Sequence, residues 1–267
     1  MKEILTEKET AIIRNAIGNP RLTNCYLSYN TVMDEIITGN IYSFCYNGIV
    51  ILIHEMNEFQ KMYYFLKDKD SLIPELVNKI QTDLTGYVNL EGTVVGRMPD
   101  KNVAVLEKFG FHPYKKYIRK QRGTGSENWC KAMQMTEIAD VRDLDNIYQL
   151  LYSISDPMSD HLVSKEELHT FLESSQVLKV VINEELAGAL VFESFGKKSY
   201  LRSICVSDKF IGKKIGLSLV ESYIERNRNR TKLFYLWVES TNEKAIRLYE
   251  KLGYKDDGLI EYIYIKD

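Results

Sequence analysis

"SICVSDKFIGKKIGLSLV", residues 203–220, changes character twice in one short run. Its opening continues the strand-like "SYLR" of 199–202, and "SDKFIGKK" is a polar loop with one glycine and three lysines. From 215 onward, apolar residues at 215, 219, 220, 223 and 224 form the stripe of an amphipathic helix. A strand, a glycine-bearing loop and a helix in that order leave the first helical N–H groups unpaired. The positive end of the helix dipole then faces the loop, which suits a phosphate. Gly212 and Gly216 would let backbone approach a ligand, and Lys213 and Lys214 would add charge. The spacing excludes a P-loop, which needs G-x-x-x-x-G-K-[S/T], and a dinucleotide fingerprint, which needs G-x-G-x-x-G. A solvated turn before a packing helix is the alternative, and these residues alone leave it open.

Downstream, "LFYLWV" (233–238) has the length and β-formers of a buried strand, and "NEKAIRLYEKLGY" (242–254) reads as a short helix with a hard stop. Ser240 and Glu243 have the spacing of a capping box, and Gly253 falls where a left-handed residue ends a helix. Ala245, Leu248, Tyr249 and Leu252 share one face, so Tyr249 points inward beside the strand ends. A core aromatic is the plain alternative for that tyrosine.

Upstream, "MQMTEIADVRDLDNIYQLLYSI" (133–154) is a short strand and a helix opened by Asp140. "SKEELHTFLESS" (164–175) is a helix with a Ser164–Glu167 capping box. Strands "VLKVVIN" and "LAGALVFESF" flank a hairpin turn at 183–185. With "LIEYIYIKD" as a closing strand, the second half reads β-α-α-β-β-β-α-β-α-β. The loop "SISDPMSDHL" (153–162) is a polar surface loop, or a subsite in which Asp156, Asp160 and His161 hold a cationic amine.

The first half repeats that order more faintly. Helices are expected near 6–17 and 30–38, strands at 41–47, 49–55 and 61–67, a helix at 72–84, a strand at 87–95, a helix at 101–110 and a strand at 114–120. "LEKFGF" at 106–111 echoes "YEKLGY" at 249–254, so the halves read as diverged copies of one unit. The echo sets Leu106 opposite Tyr249 and Pro99 opposite Asn242, and "KDKDS" (67–71) stands where the glycine loop would be. The polar stretch "QRGTGSENW" (121–129) marks the boundary: one domain at 1–122, a linker at 123–130 and a second domain at 131–267.

Composition bounds the function. The 267 residues suffice for two medium domains, and 45% hydrophobic with 27% charged residues is globular composition. A net charge of −2 gives no polyanion footprint, so no nucleic-acid partner is expected. The longest apolar run, "IVILI" (49–53), is too short for a bilayer, so no membrane role is expected. The four cysteines form no CxxC pair and the four histidines no ligand spacing, which points to free thiols, no metal and a cytoplasmic location.

The second half resembles the GCN5-related N-acetyltransferase family. "ICVSDKFIGKKIGLSLV" is similar to the family's strand–pyrophosphate loop–helix motif, and "LWVESTNEKAIRLYEKLGY" to its second motif. The resemblance covers roughly 131–267, and the first half resembles the fold alone. It implies an α/β (α+β) fold class: two tandem acyl-CoA N-acyltransferase-like domains, each a mixed, mostly antiparallel sheet flanked by helices. It also implies acetyl-CoA as acyl donor and direct transfer to a primary amine of a small molecule or peptide. Ile204 and Val206 would offer backbone to the pantetheine arm, and Ile211, Gly212, Lys213, Lys214, Gly216 and Leu217 would hold the pyrophosphate. Asn242 and Ala245 would contact the cofactor, and Tyr249 would protonate the departing thiolate.

This chain departs from the family's Q/R-x-x-G-x-G/A loop at Ile211 and Lys214. A lysine at 214 would replace lost charge, and a helical φ there would accommodate its side chain. The strand before the loop has no carboxylate, so Glu193 is the candidate base, with Glu239 as the other choice. Two further classes remain: a non-catalytic sensor that binds acyl-CoA, and an acyltransferase with a different donor. Residues 1–122 are expected to be a degenerate copy that shapes the acceptor cleft.

Overall fold

The computed structural model describes residues 6–18, 22–25, 27–46, 49–56, 59–66, 78, 82, 93–98, 107, 110–125, 136–160 and 162–266. The elements in the first half are α1 (Glu7–Gly18), β1 (Leu22–Thr23), α2 (Tyr29–Thr38), β2 (Ile41–Tyr46), β3 (Ile49–Glu55), β4 (Gln60–Leu66), β5 (Thr93–Met98) and β6 (His112–Gly123). The second half gives β7 (Thr136–Ile138), α3 (Leu144–Ile154), α4 (Lys165–Glu173), β8 (Val177–Ile182), β9 (Glu185–Phe195), β10 (Lys198–Val206), α5 (Ile215–Asn227), β11 (Leu233–Glu239), α6 (Glu243–Lys251) and β12 (Lys255–Lys266). In the second half that order is the one the patterning predicts, whereas β1 was not expected in the first. The helices expected at 72–84 and 101–110 and the start of the strand at 87–95 fall largely outside the described residues, as do Pro99 and Leu106.

Two compact units form: residues 1–116 with 260–267, and residues 117–259. They do not follow the boundary expected from composition. Gly123, expected to open the linker, instead ends β6, and with Gln121 and Arg122 it pairs with Leu233–Tyr235 of β11. Backbone pairing along a neighbouring strand outweighs the turn preference of the glycine. The last strand of each half therefore joins the unit built by the other half.

In the first unit the sheet runs β2-β3-β4-β5-β12, antiparallel except between β4 and β5. Ile13 and Val32 on the two helices pack with Leu52, Tyr63 and Phe65 of the sheet. The echo survives in backbone geometry: Gly110 is left-handed (φ 80°) and donates to Glu107 O over 3.1 Å, as Gly253 (φ 81°) donates to Glu250 O over 2.9 Å. Phe111 follows Gly110 into the interior, and the Lys266 ammonium lies 6.0 Å from its ring centre.

In the second unit the sheet runs β7-β8-β9-β10-β11-β6, and only β10 and β11 are parallel. One face carries α5 and α6 over Phe192, Leu201, Phe234 and Leu236. The other carries α3 and α4 over Val177, Ala189, Val191 and Cys205. The capping boxes at Asp140 and Ser164 form as expected, and the β8–β9 turn takes Asn183 and Glu184 at φ 51° and 67°. A left-handed pair of this kind matches the twist of an antiparallel hairpin.

Candidate active site

The second unit opens between its two parallel strands. β10 pairs with β11 from Lys198–Leu233 to Leu201–Leu236, and the register ends there. Both strands run on, β10 to Val206 and β11 to Glu239, while β10 stays paired with β9 up to Val206–Gly188. The edge of Ser203–Val206 that faces β11 thus has no ladder partner among the described residues. A bulge falls at this point, where the β9–β10 register slips between Leu201 and Ser203. An unsatisfied strand edge inside a sheet is costly, so the gap suits a ligand with amide groups that can pair along it. Ile204 and Val206 lie on that edge.

The glycine loop stands at the open end of the gap. A 3-10 turn (Asp208–Phe210) leads through Gly212 at φ 85° and Lys214 at φ 60° into α5. Ser218 N–H is the first to close the helix, donating to Lys214 O over 3.0 Å. The amides of Gly212, Lys214, Ile215, Gly216 and Leu217 take no acceptor among the described residues, and no side chain caps the helix. Such a nest of free N–H groups at a dipole's positive end suits an anion. The left-handed Lys214 corrects the helical φ expected for it. Its backbone adopts a conformation that glycine favours, at the cost a Cβ brings. Lys213 lays its ammonium 4.9 Å from the Phe210 ring centre, and Ile211 is 63% exposed at the rim.

Two glycines differ in what holds them. A Cβ on Gly188 would lie 2.7 Å from Cys205 O and 2.9 Å from Ile215 Cγ2, so α5 can sit this close to the sheet only over a glycine. A Cβ on Gly216 would meet Leu248 and Val206 at an ordinary 3.8 Å. Packing within the described residues does not demand a glycine at 216.

α6 lies on the same face. Its N-cap is Asn242, whose Oδ1 accepts from Ala245 N–H over 3.1 Å, so the Ser240–Glu243 box expected from spacing is not the cap. The Asn242 carboxamide wins because the chain turns into the helix two residues later than that box requires. Tyr249 is buried in the core of this face, edge-on to Tyr254 at 5.8 Å. Burial pushes its phenol above the ordinary tyrosine range.

Residues 141–254 match the model of the acetyltransferase (GNAT) family. This part of the chain is a GNAT domain. No curated protein matches the sequence. Among solved structures, a GNAT-family acetyltransferase from Colwellia psychrerythraea aligns with a TM-score of 0.61 at 12% identity, over 98% of this chain and 97% of that one. A GCN5-related N-acetyltransferase from Sphaerobacter thermophilus aligns at 0.60 and 14% identity, over 96% and 89%. The tandem GNAT protein of the clavulanic acid biosynthesis pathway aligns at 0.53 and 9%, over 96% and 92%. At these identities the likeness is one of fold, and it extends over both halves.

Within the GNAT domain, the sheet gap, loop and α6 bring together Ile204, Val206, Ile211–Leu217, Asn242, Ala245 and Tyr249. Glu193 stands apart from Tyr249. It follows Phe192, which packs under α5, so by strand alternation it faces α3 and α4. There Arg202, at the bulge, holds it across 3.7 Å, and Arg202 itself lies 5.7 Å from the Phe171 ring centre. Glu239 shares that face on the gap's other lip and accepts from Thr241 Oγ1 over 2.6 Å. Asp156 accepts from Met158 N–H and Ser159 Oγ, while Asp160 accepts from Asp156 N–H and, at 2.7 Å, from Tyr117 Oη. These bonds organise the loop itself; His161 is outside the described residues. Sequence reading missed Gly188, whose signal was a small-residue triplet in "LAGALVF", and missed every contribution from β6. Among the described residues no cluster of three or more His, Cys, Asp or Glu forms a metal site, and no helix is long and apolar enough to cross a membrane.

Proposed function

We propose that the chain is an acetyl-CoA-dependent N-acetyltransferase acting on a primary amine of a small molecule or peptide. One observation carries this reading: five free amides at 212 and 214–217 stand at the open end of an unpaired strand edge, on the face that holds Tyr249. The residues fit the donor. The amides with Lys213 and Lys214 would take the pyrophosphate, and Ile204 and Val206 would pair with the amides of the pantetheine arm. Asn242 would contact the cofactor. When bound, the acyl-CoA supplies a thioester carbon open to amine attack.

Tyr249 would hold the proton that the departing sulfur needs. A thiol titrates near ~8.5 and an ordinary tyrosine near ~10, so full transfer is uphill by roughly 2 kcal/mol. Burial raises the tyrosine further, but a thiolate in the same dry site is desolvated too and rises with it. Proton transfer in step with C–S cleavage is therefore accessible. Glu193, held at the closed end of the gap by Arg202, would accept the amine's proton. The first unit would act as a silent copy, since its echo has Leu106 where Tyr249 stands.

The test is release of CoA thiol from acetyl-CoA against a panel of primary amines, with Glu193→Gln and Glu239→Gln beside the natural protein. Turnover that falls at least tenfold in Glu193→Gln supports the assignment; loss in Glu239→Gln alone transfers the base to Glu239. Binding without turnover of any amine would make the domain an acyl-CoA sensor.

A further inference from the structure

α6 ends in a backbone lock that includes Tyr249. Tyr254 N–H donates to Tyr249 O over 3.0 Å and Gly253 N–H to Glu250 O over 2.9 Å, the paired bonds of a Schellman stop. Tyr249 is thus the first residue of the lock, and the Tyr254 ring closes on it edge-on.

Two cations of β6 reach this turn. Ile118, Lys120 and Arg122 alternate on the face that meets α6, and the two cations are 1% and 3% exposed. Arg122 Nη1 donates to Leu252 O over 2.6 Å, and its guanidinium lies 6.0 Å from the Tyr254 ring centre. Leu252 is the C-cap, so the cation sits against the negative end of the helix dipole. Lys120 Nζ donates to Glu250 Oε1 over 2.9 Å and meets Asp256 Oδ1 at 2.8 Å. It bridges the last turn of α6 to the start of β12, closing the loop that carries Leu252–Lys255.

Burying two charged side chains beneath one helical turn is expensive, and an apolar pair would fill the space more cheaply. What the cations add is direction: both donate toward atoms whose positions fix the azimuth of α6 at Tyr249. We propose that Arg122 and Lys120 are positioning residues for Tyr249, holding its hydroxyl on line with the sheet gap. The proposal rests on Tyr249 being the acid, but concerns its placement. The strand that supplies both cations is the last of the first half of the chain, so a fragment starting at 131 would lack them.

Full-length protein carrying [13Cζ]tyrosine gives the test, the Tyr249 signal being assigned from Tyr249→Phe. Arg122→Lys keeps the charge but cannot reproduce the planar fork, and Glu250→Gln loosens Lys120 at a half-exposed position. Both are expected to shift or split the Tyr249 signal, while exposed Arg226→Lys leaves it alone. CoA affinity should stay within about twofold, because the amide nest is untouched. Acetyl-CoA turnover should lose kcat about tenfold at unchanged KM, and Arg122→Lys should cost nothing further in a Tyr249→Phe background. An unmoved Tyr249 signal in both variants overturns the proposal. Additive losses in the double variant would make the cations structural only. If Tyr249→Phe itself leaves kcat unchanged, the acid assignment falls, while the signal still reports whether β6 sets the ring.

Discussion

The main-chain N–H of Tyr254 donates to the carbonyl of Tyr249 over 3.0 Å. The residue proposed as acid is therefore part of a helix stop rather than of a free helical face. Its ring is held by the same turn that ends α6, and the next glycine, left-handed at φ 81°, makes that turn possible. Placement and termination are one structural event.

Removing the Tyr249 hydroxyl tests its role. Tyr249→Phe should lower kcat by roughly 10²-fold or more with CoA affinity nearly unchanged. Because burial raises its pKa, the phenol keeps its proton, and no loss of rate from Tyr249 should appear below about pH 10. A rate limb near neutrality that vanishes in Tyr249→Phe would contradict the assignment.

The buried tyrosines also predict how stability falls in alkali. Tyr249, Tyr254, Tyr223 and Tyr117 all titrate above the unfolded value, with burial the leading cause. Folding therefore favours their protonated forms. That stability is complete below about pH 10 and is lost as pH rises past it. Phenolate absorbance should appear for these groups together with unfolding, not before it; a smooth titration in folded protein would refute this.

Gly188 and Gly216 should behave differently when given a methyl group. Gly188→Ala drives a Cβ against Cys205 O and Ile215, so α5 must move. A stability loss of about 1–3 kcal/mol and at least tenfold weaker CoA binding are expected. Gly216→Ala finds room within the protein and should keep its melting temperature while losing CoA affinity. Equal stability in calorimetry would show that the α5–sheet approach is not set by Gly188.

How far the sequence reaches is clear from this loop. The strand–loop–helix order and the glycines at 212 and 216 were legible because they depend on local pattern. The left-handed Lys214 was not, since nothing local forces a lysine into that conformation. Gly188 and the β6 cations were hidden for another reason: their partners lie far away in sequence, Cys205 and Ile215 for one, Leu252 and Glu250 for the others. Local periodicity found the elements, whereas the exchange of final strands depends on long-range pairing that the glycine-rich boundary concealed.

Lys214 stores strain that glycine would release. Lys214→Gly should raise stability by about 1 kcal/mol, the penalty of a Cβ in this conformation. It should also flatten the salt dependence of CoA binding, since one cation near the phosphates is lost. Thermal melts and titrations at two salt concentrations read both effects; an unchanged or lower melting temperature would argue against strain.

The Tyr254 hydroxyl is buried without a hydrogen-bond partner among the described residues. Phe111 occupies the matching place after Gly110 in the first copy, so a phenyl ring suits this turn. Tyr254→Phe should leave the fold intact and add about 1 kcal/mol, because an unsatisfied buried hydroxyl is costly. A clear loss in denaturant unfolding would mean that the hydroxyl is satisfied in solution.

Calorimetric titration of the full-length protein with CoA tests the central claim most directly. The account predicts one site per chain, built by the amides of 212 and 214–217 and the open edge of β10. Two sites would contradict the silent first copy, and no binding at all would contradict the acyl-CoA reading of the gap.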